Sequence, residues 1–461
     1  MSQTTSDQLK FINVRAPVLR VLLLAPVALV LAGSWYAARW YVGNTMAEYA
    51  PNVEQGGMET ARDAVKLAPD DPVTHWSAAT LAKKDFSPEA AQAALRGYEE
   101  AANLSPNDFR LWLDVGQARE QAGDAAGAEK ALRRAVELAP AYAYPRWYLG
   151  NLLLREKRTD EAFAELQRAA EAYPTFRVPV FEAAMRVYGA DLAALKTAVA
   201  RSPATQAELA LYLVGQARTD DALQVWNALS ANEKKEQSAT GKSIITALAG
   251  AKRYRAANAV YRNLAAGDDG AGVPVIGQST NGGFEKDAGA NDATIFDWQI
   301  RSTPPQASVA FDTLNRHGGA RSLRVVFNSS GQLAFNSLAQ LIAVEPGAQY
   351  RLEFYARTKD LRTAGQPIIE VVDANTDALL AASRALSVGT NDWQSVAIDF
   401  KTSPKTEAVT IRTGRAPCGA DSGGVCPIFG IIWYDDFTLQ HVGGNSSERR
   451  RDNSSDSAAQ K

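Results

Sequence analysis

The chain has 461 residues with 49 basic and 51 acidic side chains, a net charge of -2. Without a cationic excess to release phosphate counterions, a generic nucleic-acid binder is excluded. At 46% hydrophobic residues, a chain of this length has room for about three domains with substantial cores.

Residues Val21 to Ala38 carry no charge, and a helix of that length rises about 27 Å, close to the hydrocarbon thickness of a bilayer. The sequence predicts a cytoplasmic N-terminus at 1–20 and one transmembrane helix at 21–42. Lys10, Arg15 and Arg20 precede the span, while Trp35, Tyr36, Trp40 and Tyr41 gather at its far end, where amphipathic rings favour the interface. A cleaved signal peptide, cut near Ala32, Gly33 and Ser34, is the alternative. In both readings the remainder is exported, and the first gives a single-pass protein of a bacterial inner membrane whose bulk is periplasmic or extracellular. No cysteine lies near the span, which excludes a lipoprotein.

Pro106, Pro140 and Pro174 follow at intervals of 34 residues, a period that belongs to stacked helix pairs. The unit after Pro106 carries Trp112, Gly116, Ala128, Leu132 and Ala135, and the next carries Leu149, Gly150, Ala162, Leu166 and Ala169. Small residues suit close helix crossings and proline ends a helix. Upstream, Ala79, Ala94, Tyr98 and Ala101 hold the same places after an insertion around Ser87 to Glu89, and Ala64 and Pro69 end a half repeat. Downstream the pattern weakens past Pro203, and a last pair holds Gly250, Tyr254, Ala257, Tyr261 and Leu264. The runs Arg158 to Ala162 and Arg218 to Ala222 are read as turns whose Thr or Asp caps the next helix. These residues resemble the tetratricopeptide repeat family, which implies an all-α solenoid over 56–266. The resemblance places Trp76, Leu113 and Trp147, then Gln117 and Asn151, in a concave groove for protein partners. The groove lacks the lysines of the subgroup that clamps a peptide carboxylate. The alternative for Trp76 and Trp147 is packing between repeats.

A linker at 267–277 precedes period-two alternation, in which Tyr350, Leu352, Phe354 and Ala356 alternate with Arg351, Glu353, Tyr355 and Arg357. Val396, Ile398 and Phe400, then Trp433, Asp435, Phe437 and Leu439, continue it, predicting a β-sandwich over 278–442. Cys418 and Cys426, the only cysteines, share one Gly-rich loop. In an oxidising compartment the reading is a local disulfide, with free thiols or a metal site as the alternatives. A polar tail, 443–461, has nothing to pack.

Asn281 to Glu285, Trp298, His317 to Val325, Trp393 and the closing Trp433 to Leu439 resemble, in that order, the jelly-roll carbohydrate-binding modules related to galactose-binding domains. The resemblance implies a structural calcium held by Glu285 and Asp435 with backbone carbonyls from Gly318 to Arg321. The alternative is that both carboxylates satisfy backbone donors at strand ends. It also implies a glycan surface, for which Tyr355, Arg357, Glu370 and Arg412 have the outward parity, while Trp298, Trp393 and Trp433 read as core.

Catalytic signals are poor. Gly241, Lys242 and Ser243 suggest a phosphate loop, but the upstream glycine position is Glu236. His75, His317 and His441 are scattered, so no Ser-His-Asp arrangement is supported. The sequence describes a multidomain protein that is not an enzyme: a transmembrane helix, an all-α solenoid and an all-β jelly roll. It reads as a scaffold in envelope or exopolysaccharide assembly that binds proteins and polysaccharide. Alternatives are a pure protein adaptor and a glycan-processing enzyme with an unrecognised site.

Overall fold

The prolines of the repeat series accept hydrogen bonds as well as ending helices. In the computed structural model the side chain six positions on reaches back to the proline carbonyl: Trp112 Nε1 donates to Pro106 at 2.9 Å, Arg146 Nε to Pro140 at 3.1 Å, and His75 Nε2 lies 2.8 Å from the Pro69 oxygen. This ties these three inter-repeat loops to the first turn of the next helix. The structure describes residues 17–85, 87–265, 273–286, 294–300, 305–336, 338–418 and 425–442. Lys10, Arg15, most of the predicted linker and the predicted tail lie outside them. The chain divides into two compact bodies, residues 1–199 and 200–461, so the division falls within the predicted solenoid rather than at its end.

In the first body, α1 (Pro17–Glu48) precedes α2 (Gly57–Leu67), and α3 (Pro72–Ala82) pairs with α4 (Pro88–Leu104). Next, α5 (Phe109–Gln121) pairs with α6 (Ala125–Leu138), α7 (Ala143–Arg155) with α8 (Thr159–Ala172), and α9 (Arg177–Tyr188) with α10 (Leu192–Val199). Close approach needs glycine at two crossings. A Cβ at Gly116 would lie 2.6 Å from the Leu132 side chain, and one at Gly150 2.6 Å from Leu166. Asp71, Ser87, Asp108 and Asp124 cap their helices through side-chain oxygens. The Thr or Asp caps expected in the turns at 158–162 and 218–222 are absent. There Arg158 and Arg218 occupy the cap position and pair with Glu161 and Asp221 at 2.7 and 2.6 Å.

The predicted half repeat is completed by the end of α1. Its Ala47 is buried, Asn44 Nδ2 donates to Asp71 at 2.7 Å, and Ser77 Oγ donates to the Ala47 carbonyl at 2.9 Å. The helix therefore continues past the expected boundary at 42. Val21, Leu22, Leu24, Leu29, Val30 and Leu31 are exposed, yet among the described residues no helix is long and apolar enough to cross a membrane. The expected transmembrane helix is corrected to that extent: Pro26 lies inside it, and its last turns belong to the helical array.

The second body starts with α11 (Pro203–Gly215), α12 (Thr219–Asn227), α13 (Ala231–Glu236), α14 (Ser238–Gly250) and α15 (Tyr254–Leu264). Its sandwich is built from β1 (Gln299–Ile300), β2 (Ala307–Asp312), β3 (Ser322–Ser329), β4 (Leu338–Ala343), β5 (Gln349–Thr363), β6 (Pro367–Asp373), β7 (Leu379–Ala382), β8 (Gly389–Lys401), β9 (Ala408–Arg415) and β10 (Ile428–His441). Two antiparallel sheets run β1-β4-β9-β6-β7 and β2-β3-β10-β5-β8. Tyr350, Leu352, Phe354 and Ala356 are buried between them, as the alternation predicts. Trp298 packs against Phe284 and Phe437 at ring separations of 5.2 and 4.9 Å.

Helix α15 is fastened to one end of the sandwich. Tyr254 Oη donates to the Ala374 carbonyl at 3.2 Å, Arg255 pairs with Glu345 at 2.9 Å, and Arg253 pairs with Glu407 at 3.3 Å. Lys252 Nζ donates to the Asn375 carbonyl at 2.6 Å, and Asn375 Nδ2 returns a bond to the Lys252 carbonyl at 3.0 Å. These contacts join elements on either side of the predicted linker.

Candidate functional site

Glu370 on β6 faces Arg412 on β9 across the ladder, and Arg412 Nε donates to Glu370 Oε2 at 2.7 Å. Gly414 beside them leaves the carboxylate room, since a Cβ there would sit 3.0 Å from Glu370 Oε1. The pair lines a cleft of about 880 Å³ bordered by Gln332 to Asn336 on one side and by Pro417, Cys418 and Cys426 on the other. Cys418 and Cys426 are disulfide-bonded, with Cα atoms 6.0 Å apart. Arg415 knots this wall together. Its guanidinium donates to the Leu333 carbonyl at 2.9 Å, the Cys426 carbonyl at 3.1 Å, Thr363 Oγ1 at 2.9 Å and the Gly365 carbonyl at 3.0 Å. Arg415 is thereby committed to protein acceptors, whereas the outer nitrogens of Arg412 and the second oxygen of Glu370 have no protein partner among the described residues.

Tyr355 and Arg357 lie on the outer face of the other sheet, so the four predicted glycan residues form two separate pairs. The His317 ring stacks on Tyr355 at 3.6 Å and meets Trp393 edge-on at 5.7 Å, while its Nδ1 lies 2.6 Å from Asp436 Oδ2. Arg357 lies 5.8 Å over Trp433 and donates to Asn315 at 3.2 Å. Trp393 is only partly buried, not core. Trp433 is 4% exposed but stands on the outer face, opposite Arg357 in the ladder, with its indole N–H on Asp312 Oδ2 at 2.8 Å. The parity expected for it fails because a bulge at Asp436, φ +50, shifts the register between Asp435 and Thr438. One extra residue puts Phe437 and Leu439 inside and Trp433 outside. Sequence reading missed His317 as the partner of Tyr355 and Asp436 as the partner of His317, which depend on the turn geometry.

The expected calcium corner brings its residues together with the opposite polarity. Asp435 Oδ2 accepts the His317 and Gly318 backbone N–H groups at 2.8 and 3.2 Å, its Oδ1 accepts that of Asp436 at 2.9 Å, and Glu285 Oε1 accepts that of Ala320 at 2.9 Å. The segment at Gly318 presents N–H groups where carbonyl oxygens were expected, and Arg321 Nε occupies the Phe284 carbonyl at 2.6 Å. A hard cation needs converging oxygen ligands, and among the described residues no group of three or more His, Cys, Asp or Glu side chains is placed to hold a metal ion. In this structure Asp435 and Glu285 are hydrogen-bonded to backbone N–H groups, and oxygens of Asp435, Asp436 and Glu285 lie within 3.8 Å of one point at Gly283. Burial pushes the Asp435 carboxyl above its ordinary range, against those backbone bonds.

In the helical groove, Leu113 and Gln117 are partly exposed on α5. Trp147 stacks flat on Phe176 at 4.6 Å, and Asn151 Nδ2 is turned back to the Trp147 carbonyl at 2.8 Å. Tyr144 and Tyr173, both exposed, join Phe176 at 5.3 and 5.4 Å. This aromatic cluster was not foreseen, because two of its members sit in the loop between α8 and α9 where no helical period marks them. Trp76 is 39% exposed and donates to Asp114 Oδ2 at 2.8 Å. Gly241 and Ser243 lie inside α14, where Gly241 makes room for Trp226 and Leu264.

Residues 109–142 match the family model of the tetratricopeptide repeat. No curated protein matches the chain. A crystal structure of a MamA protein is similar at 14% identity and a TM-score of 0.29, covering 48% of this chain and 96% of its own. A MamA fragment, residues 41 to the end, from Desulfovibrio magneticus RS-1 is similar at 13% identity and 0.27, covering 41% and 92%. A solved CBM4 structure is similar at 15% identity and 0.26, covering 36% and 99%. The chain carries a tetratricopeptide repeat within an array of helix pairs, followed by a two-sheet antiparallel sandwich.

Proposed function

We propose that this protein is an exported binding scaffold that holds protein partners along its helical groove and a neutral polysaccharide in the Glu370–Arg412 cleft, in envelope or exopolysaccharide assembly. The observation that carries the glycan half is the dyad itself. A free carboxylate oxygen beside free guanidinium nitrogens presents an acceptor next to donors, the pattern that adjacent sugar hydroxyls complement. The disulfide wall suits an oxidising compartment. The exposed apolar side chains at the start of α1 support attachment to a membrane, and Lys10, Arg15 and Arg20 before them support a bulk outside the cytoplasm.

Polysaccharide retention by the full chain in detergent tests the reading. Glu370→Gln and Arg412→Ala should each weaken retention about tenfold or more, the scale of a lost charged hydrogen bond, with melting unchanged. Retention indifferent to both changes would sink the cleft. The second reading, a pure protein adaptor, is favoured by the exposed aromatic cluster at Tyr144 and Tyr173. It stands if no glycan is retained while partners still cross-link through the groove. A periplasm-dependent reporter fused after Val442 tests export, and activity only in the cytoplasm would reverse it.

A further inference from the structure

The groove holds a pocket of about 260 Å³ between α3 and α5, with Pro72, Val73, Trp76 and Leu111 as apolar walls and Asp114 at its polar end. Trp76 grips one oxygen of Asp114, and the other has no protein partner among the described residues. Burial pushes the Asp114 carboxyl above its ordinary range, opposed by the Trp76 bond and by the field of Lys83. Lys83 makes no ion pair with it, and the nearby Arg110 is bound two-pronged to Asp108 at 2.6 and 2.9 Å. Asp108, Arg110 and Asp114 leave this wall one net negative charge.

We propose that this pocket binds the cationic side chain of a protein partner, with the stem along Val73 and Leu111 and the charge beside the Trp76 ring at the second oxygen of Asp114. An indole face attracts a cation, and apolar walls take up a methylene stem that carries charge at its tip. A neutral apolar side chain would fill the walls but leave the half-buried carboxylate uncompensated. The polarity is the reverse of a lysine-lined groove that captures a carboxylate. The proposal rests on the reading of this groove as a protein-binding surface.

The test uses the full chain labelled with 5-fluorotryptophan, with the Trp76 signal assigned by Trp76→Phe. The probes are the N-acetyl methylamides of lysine, arginine and norleucine. The lysine or arginine amide should move the Trp76 resonance saturably, and the norleucine amide should not at the same concentration. Asp114→Asn should weaken the cationic probes about tenfold with melting unchanged. An equal response to norleucine, or unchanged binding by Asp114→Asn, overturns the proposal. If that variant does not fold, the comparison of probes on the unsubstituted chain still decides. The titration contains no partner, so failure of the pocket is distinct from failure of the groove, which would show as no protein captured by a photocrosslinker at Asn151.

Discussion

Asp435 holds the backbone N–H of His317 at 2.8 Å, which locks the final strand to a turn 118 positions earlier in the chain. Three backbone N–H groups already satisfy this carboxylate. Thermal scans of the full chain with chelator and with millimolar calcium should superimpose. Asp435→Ala leaves three part-buried N–H groups without their acceptor and should cost about 1–3 kcal/mol. A calcium-dependent rise in melting temperature abolished by Glu285→Ala would reinstate the ion.

Two aspartates on this sheet should respond to acid with opposite signs. Burial would raise the Asp312 carboxyl, but Trp433, the Leu314 and Asn315 backbone N–H groups and the Asn315 amide outweigh it and hold the value at about 2 against the usual 3.8. The native state then binds fewer protons than the unfolded one. Its contribution, about 2 kcal/mol, is complete above the unfolded value and lost as pH falls from there towards 2. The Asp435 value is raised, so its ionised form costs stability at neutral pH, and acid relieves that cost as pH falls through the native value. Urea titrations at pH 7, 5 and 3, followed by tryptophan fluorescence, should show Asp312→Asn losing the acid-labile component. An unchanged pH profile for that variant would refute the assignment.

Backbone geometry gives a pair of opposed substitutions. Gly150→Ala places a Cβ 2.6 Å from the buried Leu166 and 3.1 Å from the Ala162 carbonyl. Overpacking of about 1–3 kcal/mol should exceed the gain in helix propensity of about 1 kcal/mol. Ala217 has φ +58, a region costing a residue with a Cβ about 1–2 kcal/mol. Ala217→Gly should therefore stabilise the second body. Calorimetry that finds the two effects reversed would show that packing or turn strain has been misassigned.

The helix pairs were legible because Pro106 and Pro140 punctuate them and because Gly116 and Gly150 recur at the crossings. The inner faces of β5 and β8 were legible because alternation needs no knowledge of the partner strand. Trp433 was not, since a single positive φ at Asp436 reverses parity without any mark in composition. The corner at Glu285 and Asp435 shows another limit: which residues meet could be anticipated, but whether a turn offers its N–H or its C=O depends on a peptide orientation that side-chain identity does not encode. The Trp76–Asp114 contact spans 38 residues, and a period of 34 gives no hint that a carboxylate one place past the groove position turns into the pocket.

The contacts between α15 and the sandwich change what can be cut from this chain. Stacked helix pairs need their last exposed face covered, and here strand ends serve as the terminal cap. A fragment starting at residue 275 would strip Glu345 and Glu407 of Arg255 and Arg253 and leave Asn375 without Lys252. A fragment starting at residue 200 keeps those bonds. Excision at the apparent linker would thus separate neighbours in space that are distant in sequence, and the smallest transferable unit is the sandwich together with the helices that precede it.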